Sequence, residues 1–281
     1  MKDSKICFAA LVVVYNVKCE ESATCRSLLA CENDAVSVFV FDNSTSDFGN
    51  RDYCEKMGWH YLGGDGNKGL PRAYNACIFK IKEEMKEGFV CLFDDDTDFD
   101  ADYFSALSKS IESNPESDLF LPLIFCSGDL ISPCRLTKSY RQILFSDSDE
   151  ALSYNGADLS AINSCMAVRL SVYDDYSYDE AIFLDGVDHH FMMTQLLEKR
   201  SKASVFSHVC HHSFSGMERP DRDAALSRFR MFAKDHAYWF RKKPILYWRV
   251  VGKRALHLFL TYRSFVFIRD FFLLRNHFKT K

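Results

Sequence analysis

The stretch GFVCLFDDDTDFD, residues 88–100, joins a short apolar run to three consecutive aspartates, Asp94, Asp95 and Asp96. The run has the length and composition of a strand buried on both faces, which is typical of the centre of a parallel sheet. Three adjacent carboxylates repel one another, and placing them beside a core is unfavourable unless a partner neutralises them. Mg²⁺ or Mn²⁺ suits this role, since both ions accept oxygen ligands and bridge phosphates. The alternative is a solvated acidic turn, because more aspartates follow.

Strand-like and helix-like segments alternate around this stretch. The strand-like runs are ICFAALVVVYN (6–16), AVSVFVFDNST (35–45) and GWHYLGG (58–64), and the helix-like segments are SATCRSLLAC (22–31) and the one at 67–88. This alternation predicts an α/β fold with a parallel sheet. Ligands bind beyond the carboxyl ends of the strands in such sheets, so Asn16, Asp42, Asn67 and the three aspartates are expected to share one edge.

The middle of the chain has weaker patterns. Residues 103–113 resemble a helix, residues 118–126 a further strand, and residues 161–173 a strand or a helix. Between them, residues 127–159 are polar and show no clear period, which favours a mobile loop over the bound molecules.

Length and composition fit one large domain, or a domain with an appendage. The chain has 281 residues, of which 47% are hydrophobic, and 11 cysteines without a CxxC pair. The odd cysteine count and the lack of a signal-peptide pattern at the start predict reduced thiols in a cytoplasmic protein.

Basic residues are concentrated near the C-terminus. From Arg219 onward there are 16 Lys and Arg against 4 Asp and Glu, whereas the preceding part has 19 against 35. Segment 241–279 is also rich in aromatic residues, and its longest uncharged stretch, 255–262, is too short to span a bilayer. We expect one or two amphipathic helices on an anionic membrane surface, with a helical cap or a homodimer contact as alternatives. No nucleic-acid partner is expected, because the acidic body would repel a phosphate backbone.

Seven short motifs occur in a recognisable order. They are VVVYN, FDNST, GNKGLPRAYN, FDDDTD, INSCMA, FLDGVDHHF and HHSFSG. Together they resemble the family-two inverting glycosyltransferases with the GT-A fold, in particular bacterial rhamnosyl- and galactofuranosyltransferases, over residues 6–216. The resemblance implies a GT-A domain in residues 1–216, with a Rossmann-like mixed sheet and flanking helices, and a helical extension in residues 217–281. It also implies transfer of galactofuranose or rhamnose from a nucleotide donor to a lipid-linked glycan acceptor, as in O-antigen or capsule synthesis at the inner face of the cell membrane.

The resemblance assigns roles to individual residues. For the nucleotide base it implies Tyr15, Asn16 and Asp42. For the ribose and the diphosphate it implies Asp65, Asn67, Lys68, Gly69 and Arg72. Within the aspartate trio, Asp94 or Asp95 would meet the ribose, and Asp96, with Asp94 as a further candidate, would bind Mn²⁺ or Mg²⁺.

An inverting transferase also needs a carboxylate that accepts the proton of the acceptor hydroxyl. FLDGVDHHF supplies Asp185 and Asp188 at the start of a helical pattern. Many relatives carry (Glu/Asp)-Asp-x-Asp with the base at its second position, where this chain has Gly186. The base is therefore Asp185 or Asp188, with Asp188 preferred and a helix cap as the alternative role of Asp188.

The last motif offers a metal-binding histidine. In similar enzymes one histidine at the end of this strand completes the metal shell, which points to His211, with His212 as the second choice. The INSC segment at 162–165 is expected to face the sugars. Two other classes remain open: a nucleotidyltransferase, which should carry a Gly-rich basic loop after the first strand, and a non-catalytic glycan- or nucleotide-binding module.

Overall fold

The computed structural model describes residues 6–31, 35–212 and 220–276. The strands are β1 (Phe8–Val14), β2 (Val36–Asp42), β3 (His60–Gly63), β4 (Phe89–Asp94), β5 (Thr97–Phe99), β6 (Leu119–Cys126), β7 (Asp129–Ser132), β8 (Cys134–Leu136), β9 (Gln142–Leu144), β10 (Leu159–Ser160), β11 (Met166–Arg169) and β12 (Ala203–His212). The helices are α1 (Ala23–Ala30), α2 (Asn50–Met57), α3 (Leu70–Glu84), α4 (Tyr103–Ser113), α5 (Ser148–Ser153), α6 (Val187–Met193), α7 (Arg222–Trp239), α8 (Pro244–Tyr262) and α9 (Val266–Asn276).

The main sheet is mixed rather than fully parallel. Its strand order is β3-β2-β1-β4-β11-β6-β12-β5, with β7 paired to β6, and a smaller sheet has the order β10-β8-β9. Strands β3, β2, β1 and β4 are parallel, as the sequence predicts. The mixed sheet that the resemblance implies is confirmed, because β11 lies antiparallel between β4 and β6. Helices cover both faces, so the α/β fold class is confirmed.

The centre of the sheet is built from the apolar runs. Every residue of β1 is buried, and its side chains alternate between two apolar clusters, with Leu11 facing the α3 side and Val12 facing the side of α1 and α4. The parallel register sets Val13 opposite Asp94 and Val14 opposite Asp42. Strands β1, β2 and β4 therefore end at one edge of the sheet.

The connections between the strands differ from the sequence-based prediction in two places. Residues 127–159 hold β7, β8, β9 and α5, together with the start of β10, instead of an irregular loop. Helix α2 was not expected; it buries only Asn50 and Cys54, so its charged sequence has no apolar period.

The C-terminal part is helical, as predicted: two helices, α8 and α9, lie within segment 241–276, and α7 precedes them. Helices α7, α8 and α9 pack around their own apolar cluster, which includes Phe229, Val251 and Phe267. Among the helices within the described residues, none is both long and apolar enough to cross a bilayer. The expected domain boundary at 216–217 lies outside the described residues.

Candidate active site

A cavity of about 910 Å³ opens at the carboxyl ends of β1 and β4. The predicted site residues that line it are Tyr15, Asn67, Gly69, Asp94, Asp95, Asp96, Asn163, Asp185, Asp188 and His212. Its other walls include apolar side chains and one face of α7, among them Ile131, Ile162, Val187, Ala224, Ser227, Arg228 and Met231. A cleft of this size and mixed lining suits a small-molecule ligand.

The aspartate trio is held by bonds to neighbouring segments. Ser164 donates its hydroxyl to the Asp94 carboxylate at 2.6 Å. The backbone N–H of Tyr15 donates to the Asp95 carboxylate at 2.9 Å, and the Ser22 hydroxyl donates to the Asp95 carbonyl at 2.7 Å. The start of α1 and the end of β1 thus fix the loop that presents the three carboxylates.

The trio is strongly desolvated. The pKa of all three groups is raised, to about 6 for Asp95 and to about 7 for Asp96; burial is the largest cause, and neighbouring carboxylate charges act in the same direction. The Tyr15 N–H opposes part of this shift at Asp95. Carboxylates that are unfavourable as free anions become favourable beside a cation, so the electrostatics fit a bound divalent ion.

His212, not His211, lies beside the trio. Its Nδ1 is 3.3 Å from the Asp96 carboxylate, and burial lowers its pKa, which favours the neutral ring that metals bind. Successive side chains of a strand point to opposite faces, so His211 is exposed on the other face of β12. This geometry favours His212, the second choice, over His211 as the candidate ligand. Residues 213–216, the rest of HHSFSG, lie outside the described residues.

The side chains beside the trio are of the types that bind a metal ion, but they do not form a complete coordination shell. Asp96 offers oxygen and His212 offers nitrogen, a combination that Mn²⁺ accepts. Within residues 6–31, 35–212 and 220–276, no group of three or more His, Cys, Asp or Glu side chains is arranged to hold an ion.

Several residues expected at the nucleotide lie outside the cavity lining. Those residues are Asn16, Asp42, Asp65, Lys68 and Arg72. Asp42 is buried, and its carboxylate accepts bonds from the Ser44 N–H, the Asn50 amide and the Tyr61 hydroxyl at 3.0–3.2 Å. In this arrangement Asp42 shapes the end of β2 and does not face the cavity.

Asn16 and Arg72 are also engaged elsewhere. The Asn16 side chain accepts bonds from the backbone and hydroxyl of Thr45 at 2.9 and 3.0 Å. Arg72 forms an ion pair with Glu180, in which Nε lies 3.0 Å from Oε2. The neighbour of Asp42, Asn43, lines the cavity instead and accepts the Lys68 N–H at 2.6 Å. Asn43 stands next to Asp42 in FDNST, and the resemblance singled out Asp42 alone.

Asp185 and Asp188 both reach the cavity, with different partners. Asp185 forms a two-pronged ion pair with Arg228 of α7, in which Nη2 lies 2.8 Å from Oδ1. Asp188 stands in the first turn of α6 and accepts the N–H of His189 at 2.7 Å. Gly186 occupies the cap position with φ +80°, so the helix-cap role considered for Asp188 is wrong.

Sequence reasoning missed the contribution of α7. Arg228 is 43 residues away from Asp185 along the chain, and no local motif marks the pairing. The signal was present only as a helical period: Ala224, Ser227, Arg228 and Met231, which share one face, all line the cavity.

Comparison with known proteins identifies the fold. No known family profile matches the chain, and no curated protein is similar to it in sequence. Staphylococcus aureus TarS in complex with UDP superposes with a TM-score of 0.52 and 17% identity, covering 82% of this chain. The mannosyltransferase PcManGT from Pyrobaculum calidifontis, in complex with GDP-Man and Mn²⁺, superposes with a TM-score of 0.56 and 15% identity, covering 95% of this chain and 73% of its own.

The match to TarS is partial. This chain spans 65% of the length of that TarS structure, and 66% of the length of a TarS structure in complex with UDP-GlcNAc. The mixed sheet with flanking helices and a helical C-terminal part is the fold of these glycosyltransferase structures, as the GT-A prediction requires.

Proposed function

We propose that this protein is a metal-dependent inverting glycosyltransferase that moves a sugar from a nucleotide donor to an acceptor hydroxyl. The observation that carries the proposal is the desolvated aspartate trio at the end of β4, inside a cavity large enough for a sugar nucleotide. The fold supports it, since the similar structures are glycosyltransferases and some hold nucleotides or nucleotide sugars.

The donor lies along the carboxyl edge of the sheet in this proposal. Tyr15, Asn43, Asn67 and Gly69 line the part of the cavity beside the trio and would hold the nucleoside diphosphate. Gly69 has φ +85°, and a Cβ there would lie 2.7 Å from the Phe183 carbonyl oxygen, so a side chain at this position would clash with Phe183.

Asp96 and His212 would hold Mn²⁺ or Mg²⁺, with Asp94 as a further member of the same site. When bound, the ion supplies positive charge to the departing diphosphate. Ser164 keeps the Asp94 carboxylate in place, and the neutral His212 ring can offer a nitrogen without losing a proton. Asp94 and Asp95 also remain the candidates for the ribose hydroxyls.

Asp188 is the proposed base. The acceptor oxygen attacks the anomeric carbon, the bond from that carbon to the diphosphate oxygen breaks, and the hydroxyl proton passes to the Asp188 carboxylate. Asp185 is less suited to this role, because both of its oxygens bind the Arg228 guanidinium. One displacement inverts the anomeric configuration.

The donor sugar can be identified with a panel. Galactofuranose and rhamnose are favoured by the sequence resemblance, so the panel contains UDP-galactofuranose, dTDP-rhamnose, UDP-GlcNAc and GDP-mannose, each with Mn²⁺ and lipid-linked saccharides. We expect one donor to release its nucleoside diphosphate and to give a product of inverted configuration by NMR. Release of pyrophosphate from a nucleoside triphosphate and a sugar phosphate would instead identify a nucleotidyltransferase.

The C-terminal helices would hold the enzyme on a membrane that carries the acceptor. Their exposed apolar side chains are Ile245, Trp248, Leu256, Leu260, Phe265, Phe272 and Leu273. Residues 241–276 contain nine Lys and Arg and one acidic residue, Asp270, which is buried in an ion pair with Arg230 at 2.6 Å. An apolar surface with this charge fits the anionic inner face of the cell membrane.

Membrane binding has a direct test in the full chain. We expect Leu260→Ser with Phe265→Ser to lower partition onto phosphatidylglycerol-containing vesicles by about tenfold or more, because two apolar anchors are lost. Vesicle flotation measures the bound fraction. Truncation near residue 216 is unsuitable, since it would remove Arg228 and the rest of α7 from the cavity.

A matched control comes from the α/β part. Phe79 on α3 is 68% exposed, close to the 75% of Phe265, so Phe79→Ser removes an equally exposed ring outside the C-terminal helices. Equal flotation of the double variant and Phe79→Ser would refute the membrane surface. Loss of self-association in the double variant, measured by sedimentation, would assign the face to a homodimer.

A further inference from the structure

The loop that carries Asp185 is fixed by a buried carboxylate on α7. Asp235, which is 3% exposed, accepts the backbone N–H groups of three consecutive residues, Phe183, Leu184 and Asp185, at 2.9, 2.8 and 2.8 Å. Burial raises the pKa of Asp235, and these N–H donors act against that shift by stabilising the anion. Hydrogen bonds to an ionised acceptor are among the stronger ones in proteins.

The same loop also contacts the donor side of the cavity. The Phe183 carbonyl accepts the N–H of Leu70, at the start of α3, at 2.9 Å. On its other side Gly186 lies against α7, where a Cβ would come within 2.6 Å of the Trp239 ring. The loop is thus clamped between the segment proposed to hold the donor and the C-terminal helices.

The clamp sets the position of the proposed base. Helix α6 begins directly after Gly186, and Asp188 lies in its first turn. The direction in which α6 leaves the loop therefore decides where the Asp188 carboxylate stands in the cavity. Arg228, about two turns before Asp235 on α7, holds the Asp185 side chain in the same arrangement.

We propose that Asp235 is a positioning residue that aims Asp188 at the acceptor, so that α7 is an integral part of the active site. The catalytic part of this inference depends on the proposed function; the contact itself does not. An asparagine at 235 has the same shape, but its amide nitrogen donates, so at least one of the three N–H groups would lose its acceptor.

The test compares Asp235→Asn with wild type in two measurements. Hydrogen exchange by mass spectrometry should show faster exchange of the 183–185 amides, because at least one of them loses its hydrogen-bond acceptor. With the donor found in the panel, kcat should fall by about tenfold to 10²-fold, the cost of a slightly misplaced catalytic group. The Kd of the nucleotide with Mn²⁺, measured by calorimetry, should stay within about twofold because Asp235 does not touch the donor segment.

Asp223→Asn is the control, because Asp223 is an exposed carboxylate on the same helix and lies outside the cavity lining. Asp235→Asn behaving like this control in both measurements would overturn the inference. So would faster exchange with unchanged kcat, or an equal loss of nucleotide affinity. If Asp235→Asn does not fold, Asp235→Glu, which keeps the charge but moves it, is measured in the same way. The exchange measurement needs no activity, so it tests the contact even if the reaction is not sugar transfer.

Discussion

Replacing Asp188 by asparagine is expected to lower kcat for sugar transfer by about 10²- to 10⁴-fold, the usual contribution of a general base. The amide keeps the shape of the side chain but cannot take the acceptor proton. The Kd of the donor, measured by calorimetry, should remain close to that of wild type, because Asp188 meets the acceptor and not the nucleotide. Single-turnover assays with the identified donor measure the loss.

Asp185→Asn is the comparison for this prediction. It removes the partner of Arg228 but leaves the Asp188 carboxylate, so its loss of kcat should be smaller. A full loss in Asp185→Asn with activity retained in Asp188→Asn would transfer the role of base to Asp185. Activity retained in both would place the base elsewhere. If the wild-type protein binds the donor but transfers no sugar, a non-catalytic binding module is favoured.

Replacing Asp96 by alanine is expected to remove the metal dependence of the protein. The kcat should fall by about 10²- to 10³-fold, comparable to the loss of one group that stabilises developing charge. Donor affinity should also become the same with Mn²⁺ and with EDTA, because His212 and Asp94 are not expected to hold the ion without Asp96. Calorimetric titrations under both conditions measure this change.

Asp100→Ala is the matched control for Asp96→Ala. Asp100 belongs to the same acidic stretch but is exposed and lies outside the cavity lining. Equal behaviour of the two variants would mean that the stretch is a solvated acidic turn. Full activity of Asp96→Ala with Mn²⁺ present would likewise exclude the metal assignment.

The sequence predicted the parts of the fold that local pattern controls. Apolar runs of strand length gave β1, β2 and β4, and the polar residues after them marked the correct edge of the sheet. Because parallel strands end together, Asn67 and the aspartate trio could be grouped before their contacts were known. Asn16 and Asp42, which the same argument placed with them, lie outside the cavity lining.

Strand phase is the first property that the sequence did not determine. His211 and His212, like Asp42 and Asn43, are adjacent residues at strand ends, and a shift of one residue exchanges the faces of a strand. The apolar pattern does not set this phase where a strand ends in polar residues. The structure turns His212 and Asn43 toward the cavity and leaves Asp42 bonded to its own chain.

Tertiary packing is the second such property. The helical extension expected in residues 217–281 begins with α7, which supplies Arg228 to the cavity and Asp235 to the adjacent loop. No local motif in the sequence marks these long-range polar contacts.

The central claim is that a divalent ion and a sugar nucleotide bind together at the aspartate trio. Isothermal titration of the four panel donors into the wild-type protein, with Mn²⁺ and again with EDTA, tests it most directly. We predict that at least one donor binds with Mn²⁺ and that its affinity falls by about tenfold or more when the ion is chelated. Absence of binding by all four donors and by Mn²⁺ itself would contradict the account.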